Sequence, residues 1–302
     1  MLAAGIAGCV AAFLLACASN ASAATIEVTP GPNAINNAIA RAHNGDLLRI
    51  HDGTYPRAVT VDKRLTLRGV GGRPLVDARC NHRAAIKVLS NGVRFDHLKV
   101  VGAAETPSEG PFPSEVDIVG VATGAVHDVV IHDTCGAPEE GAEYGINVFN
   151  SGPVEVSGNK ATGGFSDAGI YIGGIVDTGG DPLRVVGNQT YLNHQGIIVE
   201  DSGGDGIVQV ANNNVHHNIG AGVEGNRNGI FLHRSDRVRI RNNTVRANGD
   251  AGVFLDSDSD HNRLIENTIT GNPVDLLNDG TANCGSGNHI GSRSGNPLIP
   301  CP

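Results

Sequence analysis

A short strand that opens with glycine and a branched residue recurs through the later two-thirds of the chain. Gly120-Val121, Gly145-Ile146, Gly169-Ile170, Gly196-Ile197, Gly229-Ile230 and Gly252-Val253 follow one another at intervals of 25, 24, 27, 33 and 23 residues. A second short apolar stretch follows in each unit, at 154–156, 184–186, 208–210, 238–240 and 264–265. Next comes an asparagine: Asn159, Asn188, Asn213, Asn243 and Asn267. Most units add another, at Asn193, Asn218, Asn248 and Asn272. A unit of this length cannot bury a core alone. Stacked copies can, so the period predicts a solenoid. Alternation on each strand turns one face inward, and stacking puts Val, Ile and Leu on their own kind. The expectation is an all-β, single-stranded right-handed parallel β-helix, the hand being that of nearly all parallel crossovers. The asparagines are expected at sharp turns with left-handed backbone angles, bonded along the axis as a ladder and carrying no chemistry.

Composition agrees. The 302 residues include 42 Gly, no Trp and only 4% aromatics, too few large rings for a compact core of this size. The net charge of −9 argues against a nucleic-acid partner. Lysine occurs only at 63, 87, 99 and 160, and arginine carries most of the positive charge.

The two ends differ from the repeat. Residues 1–23 read as a cleavable export signal: an apolar run from Leu2 to Ala16, then Ala21-Ser22-Ala23 before a mature start at Ala24. Leu14-Leu15-Ala16-Cys17 also resembles a lipobox, which would acylate Cys17 and tether the chain to a membrane. The expected location is secreted, periplasmic or cell-surface, with no transmembrane segment in the mature form. Residues 24–302 are expected to form one monomeric domain. An amphipathic helix at 33–43 should plug the first coil, and 275–302 should close the other end where the repeat fades. Strands at 47–50, 59–61, 65–67 and 85–88 should begin the coils. Four cysteines remain after the signal, an even number that suits an exported chain. Of three pairings we expect Cys284–Cys301 as a terminal clasp and Cys80–Cys135 between neighbouring coils.

Two segments carry a resemblance. Residues 45–55 (Gly-Asp-Leu-Leu-Arg-Ile-His-Asp-Gly-Thr-Tyr) and 61–69, followed by Leu75-Val76-Asp77, resemble the opening of pectin-lyase-like β-helix proteins. The later coils resemble the repeat of carbohydrate-binding and sugar-hydrolysing β-helix domains. They also resemble periplasmic maturation proteins of nitrous oxide reductase and, more distantly, mannuronan C5-epimerases. The resemblance implies the fold and leaves several functions open. Phe231-Leu232-His233-Arg234-Ser235-Asp236 lacks the epimerase Asp-Pro-His-Asp motif, and polygalacturonase signatures are absent. A copper role gains little, since the mature chain has no Met and its histidines are scattered.

Strand alternation then predicts two outward columns. One is Asn147, Tyr171, Ile198, Phe231 and Phe254; the other is Phe149, Gly173, Glu200, His233 and Asp256. His233, Arg234, Glu200 and Asp256 are the candidate catalytic residues. Tyr171, Phe231, Phe254 and Asp201 would hold a polysaccharide, with rings against the apolar sugar faces. Insertions at 102–119, 134–144 and 219–228 should wall this face. Two of them are acidic, through Glu105, Glu109 and Glu115 and through Glu139, Glu140 and Glu143. Asp256 and Asp258 could ligate Ca²⁺, although the run 256–260 also fits a solvated turn. The leading expectation is a lyase or C5-epimerase, with a hydrolase favoured if the substrate is neutral. The alternative is a non-catalytic exported protein that binds glycans or assists maturation, its polar stripe merely solvated.

Overall fold

A computed structural model describes residues 23–301 apart from 107, 110, 111, 137–140, 205, 206 and 221–225. Most of the signal segment, Cys17, Glu139 and Glu140 lie outside the described residues. Among the described residues the chain winds as a parallel β-solenoid with three sheets. Sheet 1 has twelve strands, from Thr25–Val28 to Ile299–Pro300. Sheet 2 has ten, from Thr54–Tyr55 to His289–Ile290, and sheet 3 has ten, from Val59–Val61 to Arg293–Gly295. Each coil visits sheets 1, 2 and 3 in turn.

The inward columns are continuous. In sheet 1, Leu48, Leu67, Phe95, Val126, Val156, Val185, Val210, Ile240 and Leu264 stand in register. All are buried. Removing this much apolar surface from water is the main stabilising term. Helix Ala34–Arg41 seals the first coil with Ile35, Ala38 and Ile39, as expected. Among the described residues no helix is long and apolar enough to cross a membrane.

The asparagine ladder forms. Asn159 Nδ2 donates to Asn188 Oδ1 at 3.0 Å, and the pattern repeats through Asn213, Asn243, Asn267 and Asn288. Each of these Asn side chains also donates to a backbone carbonyl of the preceding coil, for example Asn213 to Val185 at 2.9 Å. Left-handed angles fall one residue earlier than expected, at Gly158, Gly187, Asn212, Asn242 and Glu266. The turn residue bends the chain, and the next side chain is then free to bond along the axis. The second ladder, Asn193–Asn218–Asn248–Asn272, forms too. A serine ladder through Ser202, Ser235 and Ser259 was not anticipated.

Four features differ from expectation. Gly120-Val121 does not open a strand; its coil uses Ser114–Val119, where Val116 and Ile118 pair with Ile146 and Val148. Glu115 therefore occupies the glycine position, fully buried, and accepts hydrogen bonds from the Gly102 and Ala103 amides. The first insertion accordingly shrinks to 104–113. The repeat does not stop near Asp275, since Val274–Asn278, Cys284–Ser286, His289–Ile290, Arg293–Gly295 and Ile299–Pro300 extend all three sheets. Backbone pairing persists there although the apolar side chains thin out. Both disulfides form as paired in the sequence reading. Cys80–Cys135, however, joins coils that are next-but-one, because Cys80 lies in Leu75–His82, Cys135 follows Val130–His132, and Lys99–Ala103 pairs between those strands.

Candidate functional site

The outward columns of sheet 3 align as alternation requires. Asp117, Asn147, Tyr171, Ile198, Phe231 and Phe254 pair in sequence along the axis, beside Val119, Phe149, Gly173, Glu200 and His233. A groove of ≈ 470 Å³ opens over the earlier coils. Its apolar and aromatic wall is Phe112, Val119, Tyr144, Phe149 and Tyr171, and its polar groups are Arg83, Asn147 and Glu200.

Glu200 joins the groove to the residues beyond it. The Tyr171 hydroxyl donates to Glu200 Oε2 at 2.9 Å, and Arg234 donates to Oε1 at 3.1 Å. His233 Nε2 stands 3.7 Å from Glu200 Oε1, while its Nδ1 is 2.5 Å from Asp256 Oδ2. Arg234 also pairs with Asp201 at 2.7 Å. Successive coils lie roughly 4.8 Å apart, which lets short side chains from adjacent coils link into this chain. Burial and the neighbouring Glu200 carboxylate push the Tyr171 hydroxyl well above the usual phenol range.

The other end of the groove was not foreseen. Asp117, 1% exposed, accepts from Arg83 Nη2 at 2.6 Å and from Asn147 Nδ2 at 2.8 Å. The Asn147 carbonyl oxygen is buried without a partner among the described residues. Tyr144 packs on Tyr171 with ring centroids 4.5 Å apart and hydrogen-bonds Asp167, which also accepts from Gln195 at 3.1 Å. Burial, reinforced by Asp167, raises the Glu143 carboxyl to about 7. Burial raises Asp167 as well. The signal for these residues was present, since Asn147 belonged to the predicted column and Glu143-Tyr144 precedes the glycine opening. What hid them was the expectation that outward means exposed.

Of the sequence-predicted residues, Tyr171, Glu200, Asp201, His233, Arg234 and Asp256 are brought together. Phe231 and Phe254 stack on each other at 4.9 Å, with Phe231 tilted against His233 at 5.5 Å. They continue the aromatic column outside the groove wall. Asp258 lies in a turn beside Asp256. Its amide donates to Asp256 Oδ1, which also accepts from Ser259 Oγ at 2.7 Å, so this run is a hydrogen-bonded turn. Among the described residues no three His, Cys, Asp or Glu side chains converge to hold a metal ion. Glu115 is a core residue rather than part of an acidic wall, and Glu109 is tied to His82 and the Arg83 amide.

Residues 115–291, more than half of the chain, match the family model described as "Periplasmic copper-binding protein (NosD)". The described residues offer no sulfur donor set for Cu(I). Thiolate and thioether ligands suit Cu(I), yet all four described cysteines are in disulfides and the single Met is Met1. Two lyases are among the solved structures that share the fold. Pectate lyase Pel9A aligns at 15% identity with a TM-score of 0.59, covering 92% of this chain and 78% of that one. An alginate lyase from Paenibacillus sp. str. FPU-7 aligns at 16% identity and 0.59, covering 91% and 99%. No curated protein matches the sequence. The periplasmic description and the two disulfides agree on an extracytoplasmic protein. A pectin-lyase-like parallel β-helix in structure, the chain belongs to the NosD family by sequence.

Proposed function

We propose that the chain binds a neutral sugar polymer in the sheet 3 groove and cleaves a glycosidic bond by acid–base catalysis. The observation that carries this reading is Glu200, a groove carboxylate anchored by Tyr171 and Arg234 beside the His233–Asp256 pair. Glu200 would take a proton from water as the water oxygen bonds to the anomeric carbon. Glu143, raised to about 7 and so partly protonated at neutral pH, and bonded to the groove residue Tyr144, would give its proton to the departing sugar oxygen. Tyr144, Phe149 and Tyr171 would seat the sugar faces.

The ion pairs favour hydrolysis over the lyase or epimerase chemistry that led the sequence reading. Removing a proton beside a uronate carboxylate requires a cation to hold the developing charge. Arg83 is engaged by Asp117, and Arg234 by Glu200 and Asp201. The non-catalytic reading retains support from the family match alone.

The purified exported protein should release reducing ends from a neutral polysaccharide panel, with no unsaturated product and no C5 proton exchange on uronate polymers. Glu200→Gln should lower the rate by about 10² or more. Unsaturated product would replace hydrolysis with elimination. Binding without turnover, unchanged in Glu200→Gln, would leave the non-catalytic reading.

A further inference from the structure

Gly173 interrupts an outward column of side chains on sheet 3. Val119, Phe149, Glu200 and His233 stand in register with it along the axis. Its backbone does not call for glycine, because it ends the strand Ala168–Gly173 without a positive φ. Space is the reason instead. A Cβ built on Gly173 would stand 2.6 Å from both the hydroxyl oxygen and Cε1 of Tyr171, and 2.8 Å from Cζ.

Tyr171 lies two residues earlier on the same face. Strand side chains lean along the strand, and here the ring crosses directly over the glycine. Glu200 is the register partner of Gly173 in the next coil. A ring laid over Gly173 therefore brings its hydroxyl to Glu200 Oε2, at 2.9 Å. Tyr144 packs on that ring at 4.5 Å. In the coils of Phe231 and Phe254 the position two residues on carries His233 or Asp256. Those two rings stay partly open to solvent, whereas Tyr171 is 9% exposed.

We propose that Gly173 is a positioning residue: the space it leaves lets Tyr171 lie across the strand and anchor the Glu200 carboxylate. The effect on rate rests on the reading of Glu200 as the base, while the anchoring rests on packing alone. Ordinary carbon contacts need about 3.5–4.0 Å, so alanine at 173 would push the ring away by about 1 Å. The hydroxyl would then leave Glu200, whose other oxygen would keep Arg234 at 3.1 Å and His233 at 3.7 Å.

The test compares Gly173→Ala, Tyr171→Phe and the double variant of the full exported protein by two readouts. The first is alkaline absorbance titration of the phenols, in a chain with four Tyr and no Trp. Burial and Glu200 hold the Tyr171 hydroxyl well above the usual phenol range. Gly173→Ala should bring one more phenol down toward about 10 than wild type shows, and the double variant should lose that phenol. The second readout is reducing-end release from β-glucan, xylan and galactomannan. Each single variant should lower kcat by about tenfold. The double variant should fall no further than either, since both changes remove one hydrogen bond. If Gly173→Ala does not fold, Tyr171→Ala/Gly173→Ala, which lacks the obstructing ring, should fold as Tyr171→Ala does. Failure of both would give the glycine another role and overturn the proposal. An unchanged phenol titration in folded Gly173→Ala, or kcat losses that multiply in the double variant, would also overturn it. Wild type without turnover would remove the catalytic reading of Glu200, and the phenol titration alone would then decide the anchoring.

Discussion

Two stretches of one surface, the outer face of sheet 3, behave differently. Over the earlier coils Asp117, Asn147 and Tyr171 point outward and yet are 1%, 7% and 9% exposed. Over the later coils Phe231 in the same column and His233 in the one beside it remain partly open to solvent, and Arg234 just past the strand is exposed. The strands are equivalent in register, so the difference comes from what covers them. Phe112 from the 104–113 insertion and Tyr144 at the end of the next one border the earlier part. Pleat decides direction, whereas connecting segments decide exposure.

That comparison can be broken by substitution. The largest contrast should come from its ion pairs. Arg83→Ala leaves Asp117 buried with only Asn147 for company, and should cost about 3–5 kcal/mol. Arg234→Ala removes exposed contacts to Asp201 and Glu200 and should shift stability far less. Urea unfolding midpoints of the two variants measure the ratio, and equal shifts would mean that the earlier coils are not covered in solution.

Rings give the next contrast. Tyr171→Ala should cost about 3 kcal/mol, against about 1 kcal/mol for Phe254→Ala, whose ring stacks on Phe231 at the open end. The smallest effect is one of pH. Glu143 rises from 4.5 unfolded to about 7 folded, so the native state holds the extra proton between those values. Its contribution is full below pH 4.5 and is lost as pH rises through about 7. Tm should therefore decline across that window, and Glu143→Gln should flatten the decline. The same slope in the variant would place the titration elsewhere, with buried Glu115 and Asp167 as the first alternatives, since burial raises both.

Much of this was legible in the residues. The spacing of Gly-Ile strands and asparagines specified the coil, and counting by two along each strand placed Glu200, His233 and Asp256 in one column. Both disulfides could be paired from position and context. Other features were hidden because they depend on local backbone paths. Gly120-Val121 mimicked a strand opening because it sits at the end of a strand whose glycine position holds Glu115. The Arg83–Asp117 pair spans 34 residues and two coils, a distance that no local pattern reports. The Asp256–Asp258 spacing looked like a cation loop, yet the same spacing lets a carboxylate cap its own turn.

The Cys80–Cys135 bond also determines how this solenoid would yield to force. Drawn from its ends, a stack of coils peels one layer at a time, each layer held only by its neighbours. A bond that skips a coil rivets three layers into one body. The 55-residue span it encloses cannot lengthen when that body comes apart. A pulling trace of the oxidised chain should fall short of the reduced one by about 180–200 Å for this loop, so the redox state of a single bond would set how far the protein can stretch.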